Sequence, residues 1–168
     1  MTKLLALALT GACGGSPPPA AAPQTTATAA TPAASSRKGL QIGLTSVYVD
    51  DQAKALRFYT EVLGFVIKDD VTNEGFRWIT VTASEDPGGT QLQLALDTDP
   101  AAKAFAQAKF KNNEPAIMFY TDDVQGNYDR IKAAGGEFTM PPTDVTYATI
   151  AMLKDTCGNL VQITQLER

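Results

Sequence analysis

One motif occurs twice in this chain, and its repetition limits the fold more than any other feature of the sequence. The paired aspartates Asp50-Asp51 and Asp122-Asp123 stand 72 residues apart. Each pair follows a strand-like run and precedes a segment with apolar residues at helical spacing, so each pair is expected to cap a helix. Glycine ends both segments, and short strand-like runs follow. The sequence therefore predicts an internal duplication of one βαβββ unit.

The predicted elements give an α+β fold of two βαβββ modules, at about 40–97 and 114–168. In the first module, strands are predicted at 42–49, 65–68, 76–82 and 90–96, with a helix between Asp51 and Gly64. In the second module, strands are predicted at 116–121, 137–139, 147–153 and 160–166, with a helix at 124–134. A short helix at 100–110 is predicted to connect the two modules.

The first 39 residues differ in composition from the rest of the chain. Lys3, an apolar run at 4–9 and small residues precede Cys13, and this order resembles a bacterial lipoprotein signal peptide. The resemblance implies that residues 1–13 are a signal whose Cys13 becomes lipidated, although Thr10 stands where such signals usually have leucine. Residues 14–39 are rich in Pro, Ala, Thr and Ser and are predicted to be a disordered linker.

These N-terminal features predict an exported lipoprotein, anchored through Cys13 to a bacterial cell envelope on its periplasmic or extracellular face. The alternative interpretation is a soluble chain with a misassigned start codon.

Bulk properties exclude several functions. The net charge of −4 argues against a nucleic acid partner, because phosphate binding needs a basic surface. The chain has no histidine, which excludes a histidine general base and imidazole metal ligands. Two cysteines, Cys13 and Cys157, are too few for a disulfide framework. Cys157 is expected to be a structural thiol.

Two motifs resemble those of a known superfamily. The opening motif contains 47–51, Ala55, Phe58-Tyr59 and 63–65, and the closing motif is Asp155-Thr156-Cys157-Gly158-Asn159 with the strand after it. Together they resemble the vicinal oxygen chelate superfamily, which includes glyoxalase I, extradiol dioxygenases and bleomycin resistance proteins. The resemblance implies two βαβββ modules whose mixed sheets curl into a cup, with helices outside and a ligand inside. This fold hosts many reactions, and some members only bind.

The resemblance also indicates where metal-dependent members place their ligands. Those positions fall on Leu44, Gln93 (or Gln91), Ala116 and Gln162. Leucine and alanine have no donor atom, and neutral amides are weak ligands without a charged companion. We therefore expect no metal and no cofactor in this cup.

Strand alternation predicts the residues that line the cup. The face of the first strand that carries Val47 and Val49 should lie under the helix. The predicted ligand-binding residues are Leu44, Ser46, Tyr48, Arg77, Trp78, Gln93, Met118, Tyr120 and Gln162, with Gln91, Ala116 and Met152 as neighbours. Arg77 would hold an anion or Trp78 would stack on a ring, because one of the two must face outward. Such a lining suits a small organic molecule.

Three functions remain open at this point. The first is a protein that binds a small organic ligand without catalysis. The second is a metal-independent or atypical lyase or isomerase, whose general base would come from Glu74, Glu114 or Asp122. No catalytic residue is assigned. The third is a non-catalytic interaction domain with a filled cup. The resemblance also implies that two chains can form a homodimer, because relatives with two modules per chain often pair.

Overall fold

The computed structural model of the chain describes residues 39–167, and the predicted signal, linker and Cys13 lie outside that range except for Gly39. The first module contains β1 (Leu44–Val49), α1 (Gln52–Arg57), β2 (Val66–Asn73), β3 (Phe76–Thr82) and β4 (Gln91–Leu96). α1 continues directly into a π-helical segment at Phe58–Val62. The connecting helix is α2 (Pro100–Lys111). The second module contains β5 (Ile117–Tyr120), α3 (Val124–Ala133), β6 (Glu137–Val145), β7 (Ala148–Lys154) and β8 (Leu160–Leu166).

The two modules have the same topology. Their sheets have four strands each, in the orders β1-β4-β3-β2 and β5-β8-β7-β6. In each sheet the first strand pairs in parallel with the last strand, and the other pairs are antiparallel. The prediction of an α+β fold with two βαβββ modules is therefore confirmed. No helix within residues 39–167 is long and apolar enough to cross a membrane.

The second aspartate of each repeated pair caps a helix. Asp51 Oδ1 accepts hydrogen bonds from the backbone N–H groups of Ala53 at 2.8 Å and Lys54 at 2.9 Å. Asp123 Oδ1 accepts from the N–H of Gly126 at 2.7 Å. Each carboxylate thus satisfies donors that the first turn of a helix leaves unpaired.

The core lies between the modules, on the helix-facing side of both sheets. In β1, Val47 and Val49 are buried, as the alternation predicts. They join one hydrophobic cluster with Ile79 and Val81 of β3 and with residues of the second module, namely Ala151, Leu153, Val161 and Ile163. The rings of Phe65 and Phe119 meet across the joint, with centroids 4.9 Å apart.

Two strands are longer than the sequence pattern predicts. β2 reaches Asn73 rather than 68, and β6 reaches Val145 rather than 139. Both are edge strands of their sheets, so one side of each strand needs no hydrogen-bond partner. This position lets β6 accommodate Pro141 and Pro142, which the prediction treated as the end of the strand.

Candidate ligand-binding cup

The candidate site consists of the two sheet surfaces that point away from the core, which we call the open faces. The first open face comprises Leu44, Ser46, Tyr48, Asp69, Val71, Phe76, Trp78, Thr80, Gln91, Gln93 and Ala95, by the strand register. The second comprises Met118, Tyr120, Met140, Ile150, Met152, Gln162 and Thr164. Thr80 and Met152, on inner strands, are 0% and 6% exposed, whereas Tyr120, on an outer strand, is 67% exposed. The middle of each face is therefore covered and its outer part is open.

A polar row crosses the first open face. Ser46 and Thr80 both pair in register with Gln93, and Asp69 pairs with Thr80. Ser46 Oγ donates a hydrogen bond to Gln93 Oε1 at 2.8 Å, and Thr80 Oγ1 donates to Asp69 Oδ2 at 3.1 Å. The other end of the Gln93 amide has no partner within residues 39–167. Gln93 therefore keeps half of its amide available to a ligand.

The equivalent row of the second open face contains sulfur instead of hydroxyls and a carboxylate. Met118 and Met152 pair in register with Gln162, and Met140 pairs with Met152. Gln162 Nε2 donates a hydrogen bond to Thr164 Oγ1 at 3.0 Å. Gln162 thus also uses one end of its amide locally and keeps the other end available.

The structure separates Arg77 from Trp78. Trp78 lies on the first open face, because it is two residues from Thr80 on β3 and pairs with Val71. Arg77 lies on the opposite side, where its Nε and Nη2 donate to the two carboxylate oxygens of Asp70 at 2.8 and 2.7 Å. This bidentate pair lowers the pKa of Asp70 below its usual value. Of the predicted site residues, Arg77 is the one whose side chain lies off the open faces, although it lines a cavity that Gln93 also lines.

The positions that the family resemblance assigns to metal ligands carry poor donors for a divalent cation in this chain. Leu44 and Ala116 present hydrocarbon, while Gln93 and Gln162 present neutral amides that already bond to hydroxyls. Hard cations accept neutral amide oxygens only beside charged carboxylates, and borderline cations need imidazole, carboxylate or thiolate donors. Within residues 39–167, no group of three or more His, Cys, Asp or Glu side chains is placed to bind a metal.

The predicted general-base candidates lie outside the strands that form the open faces, although Glu74 lines a cavity that Gln93 also lines. Glu74 is in the turn between β2 and β3, Glu114 follows α2, and Asp122 precedes the cap of α3. The carboxylate that does reach the first open face is Asp69. The sequence pattern missed it because the predicted strand ended at 68, where β2 has a register shift between Ile67 and Asp69. Met140 was missed for the same reason, beyond the predicted end of β6.

The closing motif joins the modules. The Asp155 carboxylate accepts from the N–H groups of Cys157 and Asn159, and Asn159 Nδ2 donates to Asp155 Oδ2 and to the carbonyl of Tyr48, both at 2.8 Å. Burial raises the pKa of Asp155, and hydrogen bonds from Asn159 oppose that shift. Burial also raises the pKa of Cys157 to about 11, with the nearby Asp50 adding to the shift. Cys157 is thus held as a thiol in the joint.

The opening motif is structural as well. Ala55, Phe58 and Tyr59 are all buried in the core cluster, at 1%, 4% and 0% exposure. Asp51 caps α1, and Gly64 has a φ of 85° that favours glycine. These residues therefore specify the fold and do not line the cup.

Comparison with known proteins identifies the family. The model of the Glyoxalase/Bleomycin resistance protein/Dioxygenase superfamily matches residues 41–163, and the chain therefore belongs to that superfamily. It is 47% identical to the uncharacterized protein YurT of Bacillus subtilis (strain 168) over 126 residues, which cover 75% of this chain and 99% of YurT.

Two solved structures share the fold. UcmS2 matches with a TM-score of 0.67 at 24% identity and covers 76% of this chain and 98% of its own. TnmS3, an antibiotic binding protein from Streptomyces sp. CB03234, matches with a TM-score of 0.62 at 26% identity and covers 78% of this chain and 99% of its own.

Proposed function

We propose that this chain is a binding protein that holds a small organic molecule against its open faces, without a metal or another cofactor. The observation that carries the proposal is the pair of equivalent glutamines, Gln93 and Gln162. Each bonds to one neighbouring hydroxyl and keeps the rest of its amide available on a partly apolar surface. A buried or half-buried amide is costly without a complete set of partners, and a ligand would supply the missing ones.

The surroundings of the glutamines suit an uncharged organic ligand. Tyr48 and Tyr120 occupy equivalent places on the two open faces and are 40% and 67% exposed. Apolar surface with a few fixed donors and acceptors is typical of small-molecule sites. The likeness to TnmS3, which is described as antibiotic binding, supports the same class of function for this chain. Independence from metal follows from the poor donor set at Leu44, Gln93, Ala116 and Gln162.

The first experiment is native mass spectrometry of the purified full chain for a co-purified small molecule, followed by a thermal-shift screen of organic compounds. A compound that binds the folded state raises the melting temperature. Gln93→Leu and Gln162→Leu are each expected to weaken its binding by about tenfold, the effect of one lost hydrogen bond in a dry site. Gln107→Leu, at an exposed position of α2, is the matched control and should change nothing.

Unchanged binding in both cup variants would contradict the proposal. A screen without any hit, together with saturable binding of a protein partner, would favour the interaction-domain alternative instead.

A second candidate function rests on Asp69. Its carboxylate lies on the first open face and accepts a hydrogen bond from Thr80, so it is placed to act as a general base in a metal-independent lyase or isomerase. The test is turnover of any compound that the screen identifies. Catalysis that Asp69→Asn abolishes would establish the enzyme, and unaltered compound in the presence of saturated protein would leave a binding protein.

Pairing of two chains is part of the proposal. Leu44 and Tyr48 are each 40% exposed, and Met118 is 51% exposed. Exposed apolar surface of this kind is typical of a surface that another molecule covers. A homodimer that covers these residues would enclose the ligand. Sedimentation equilibrium of the full chain should give twice the monomer mass, and a charge placed by Met118→Lys should shift the mass toward the monomer, whereas Phe105→Lys on α2 should not.

The proposed location is the bacterial cell envelope, through a lipid on Cys13. The sequence of residues 1–13 supports it, and several acyl chains are needed for stable attachment. Metabolic labelling with a fatty acid should mark the wild-type chain and should not mark Cys13→Ala. Equal labelling of the two chains, or no labelling of the wild type, would rule out the anchor.

A further inference from the structure

The two sheets differ in how their third and fourth strands pair. In the second sheet, β7 and β8 are in register along their whole length, from Ala148 opposite Leu166 to Lys154 opposite Leu160. In the first sheet, β3 and β4 pair at Thr80 opposite Gln93 and at Val81 opposite Leu92, and no pairing continues beyond Gln93. Both strands nevertheless extend further, to Phe76 and Leu96.

The outer half of β3 stays paired with β2 instead. That pairing runs out to Asn73 opposite Phe76, at the tip of the hairpin. The hairpin therefore leaves β4 and forms an arm, and the arm and the end of β4 diverge like the prongs of a fork. The arm carries Phe76, which is 60% exposed, and Trp78 on the open face, with ring centroids 6.5 Å apart.

A side chain of α1 occupies the base of this fork. Gln52 is the first residue of α1 and is 7% exposed. Its Nε2 donates to the Leu94 carbonyl of β4 at 2.7 Å and to the Arg77 carbonyl of β3 at 3.0 Å. These bonds satisfy backbone carbonyl groups at the point where β3 and β4 separate. The separation therefore costs less free energy than it would if those carbonyl groups had no partner.

The second module shows what happens without this side chain. Val124 stands 72 residues after Gln52, is also the first residue of its helix and is fully buried. The valine side chain has no hydrogen-bonding group, and there β7 and β8 remain paired throughout. The comparison indicates that Gln52 is what holds the fork open.

The fork encloses a cavity of about 400 Å³. Phe76 and Gly75 lie on the arm, Ala95 and Leu96 lie on β4, and Gln52 lies at the base. Gln93 also lines it, so the cavity opens onto the proposed ligand site. Both hydrogens of the Gln52 amide are used by the carbonyls of the strands, whereas its Oε1 has no donor within residues 39–167. Glu74, Arg77 and Thr98 line the cavity as well, so the fork combines apolar surface with polar side chains, and Gln52 Oε1 is the acceptor at its base.

We propose that the fork is a subsite that takes one aromatic ring of the ligand, with a hydroxyl or N–H on that ring donating to Gln52 Oε1. This inference rests on the proposed function, because the fork forms one end of the same cup. Phe76 contacts the ring, since aromatic pairs favour offset or edge contacts. Gln52 is a positioning residue for the arm and supplies the selectivity for a donor.

The test uses nuclear magnetic resonance of the full chain, in which Trp78 is the single tryptophan. The probes are 2-naphthol, 2-methoxynaphthalene and cyclohexanol. Titration with 2-naphthol should shift the one indole N–H signal and saturate. The methoxy compound lacks the donor and should bind about tenfold more weakly. Cyclohexanol should not shift the signal. Equal binding of all three probes would overturn the proposal.

Two variants separate the roles of the residues. Phe76→Ala should weaken both aromatic probes and keep the preference for 2-naphthol, whereas Phe105→Ala, an equally exposed phenylalanine on α2, should change neither. Gln52→Val should weaken both aromatic probes and remove the preference for 2-naphthol, because the fork loses the side chain that bonds to both strands and the acceptor is gone. If Gln52→Val does not fold, the Phe76 and Phe105 variants decide alone. A folded Gln52→Val chain that keeps the preference would contradict the role of Gln52.

The outcomes also distinguish this inference from the proposed function. If the cellular ligand binds more weakly to the Gln93 and Gln162 variants but Phe76→Ala does not change binding of the naphthalene probes, the fork is not a subsite and the proposed function stands. If Phe76→Ala weakens binding of the probes but the Gln93 and Gln162 variants bind the cellular ligand normally, the fork is a subsite and the proposed role of the two glutamines is wrong.

Discussion

The two modules keep the same glutamine and surround it with different chemistry. In the first open face, Gln93 stands in a row with Ser46, Thr80 and Asp69. In the second, Gln162 stands in a row with three methionines, Met118, Met152 and Met140. The two modules therefore share the amide and the fold and differ in the residues around the amide. One face provides directed polar contacts, and the other provides polarizable, adaptable surface.

A second difference lies beneath the faces. Gln52 of the first module bonds to carbonyl groups of two strands, while Val124 at the equivalent place is buried in the core. In the second module a glutamine reaches in the opposite direction, since Gln165 Oε1 of β8 accepts from the Val124 N–H at 3.0 Å. In the first module a helix side chain thus bonds to the sheet, and in the second module a sheet side chain bonds to the helix.

The largest effect is expected at the contact between the modules. Asn159 is 3% exposed, and Asn159→Leu leaves the Tyr48 carbonyl and an Asp155 oxygen without their donor. The free energy of unfolding should fall by about 3 kcal/mol, because two buried acceptors lose their partner. Urea unfolding measures it. Asn112→Leu, at an exposed position, is the control. An equal loss of unfolding free energy in both variants would show that the hydrogen bonds of Asn159 do not stabilise the contact between the modules.

The exchange of the two helix-start residues tests the second difference directly. Gln52→Val is expected to lower the free energy of unfolding by about 2 kcal/mol, because two strand carbonyls lose their donor. Val124→Gln should lower the free energy of unfolding by a similar amount. It buries an amide beside β7 and β8, whose backbone groups are already paired with each other. Both values come from urea unfolding. If Gln52→Val is as stable as the wild type, the glutamine is not needed to satisfy the parted strands.

Two aspartates at the joint should give opposite pH dependences. A hydrogen bond from Lys54 lowers the pKa of Asp50, so the stability it adds is present above a pH of about 4 and is lost as the pH falls through its folded pKa. Burial raises the pKa of Asp155, so its contribution is full below a pH of about 4 and is lost as the pH rises through its folded pKa.

Melting curves of Asp50→Asn and Asp155→Asn against the wild type, between pH 3 and pH 7, measure this contrast. The stability difference of wild type over Asp50→Asn should grow with pH, and the difference over Asp155→Asn should shrink. Slopes of the same sign would contradict the assignment.

The smallest effect concerns Cys157, whose reactivity is the property to measure. With its pKa raised to about 11, little thiolate exists at neutral pH. Alkylation of Cys157 by iodoacetamide, followed on its own peptide by mass spectrometry, should be slow at pH 8 and should accelerate toward pH 11. Fast alkylation at pH 8 would show that the joint opens or that the thiol is activated.

Much of this architecture could be predicted from residues close together in the chain. The repeated Asp-Asp caps, the helical spacing and the alternation in β1 predicted two βαβββ modules and placed Val47 and Val49 inside. The same alternation put Leu44, Ser46 and Tyr48 on the other face. Errors occurred at the edge strands, where β2 and β6 tolerate irregular register and prolines that would end an inner strand. Those errors hid Asp69 and Met140 from the predicted site.

The sequence by itself determined the duplicated fold, the absence of histidine and the presence of hydrocarbon or neutral amides at Leu44, Gln93, Ala116 and Gln162. These properties depend on residue type and local periodicity, which the chain carries without reference to distant partners. Tertiary structure decided that Trp78 and not Arg77 lies on the open face, that Asp69 stands beside Thr80, and that Gln52 bonds to both β3 and β4 where their pairing ends. Those facts depend on strand register and on contacts between residues up to 42 positions apart, as from Gln52 to Leu94. Only packing of the whole domain fixes them.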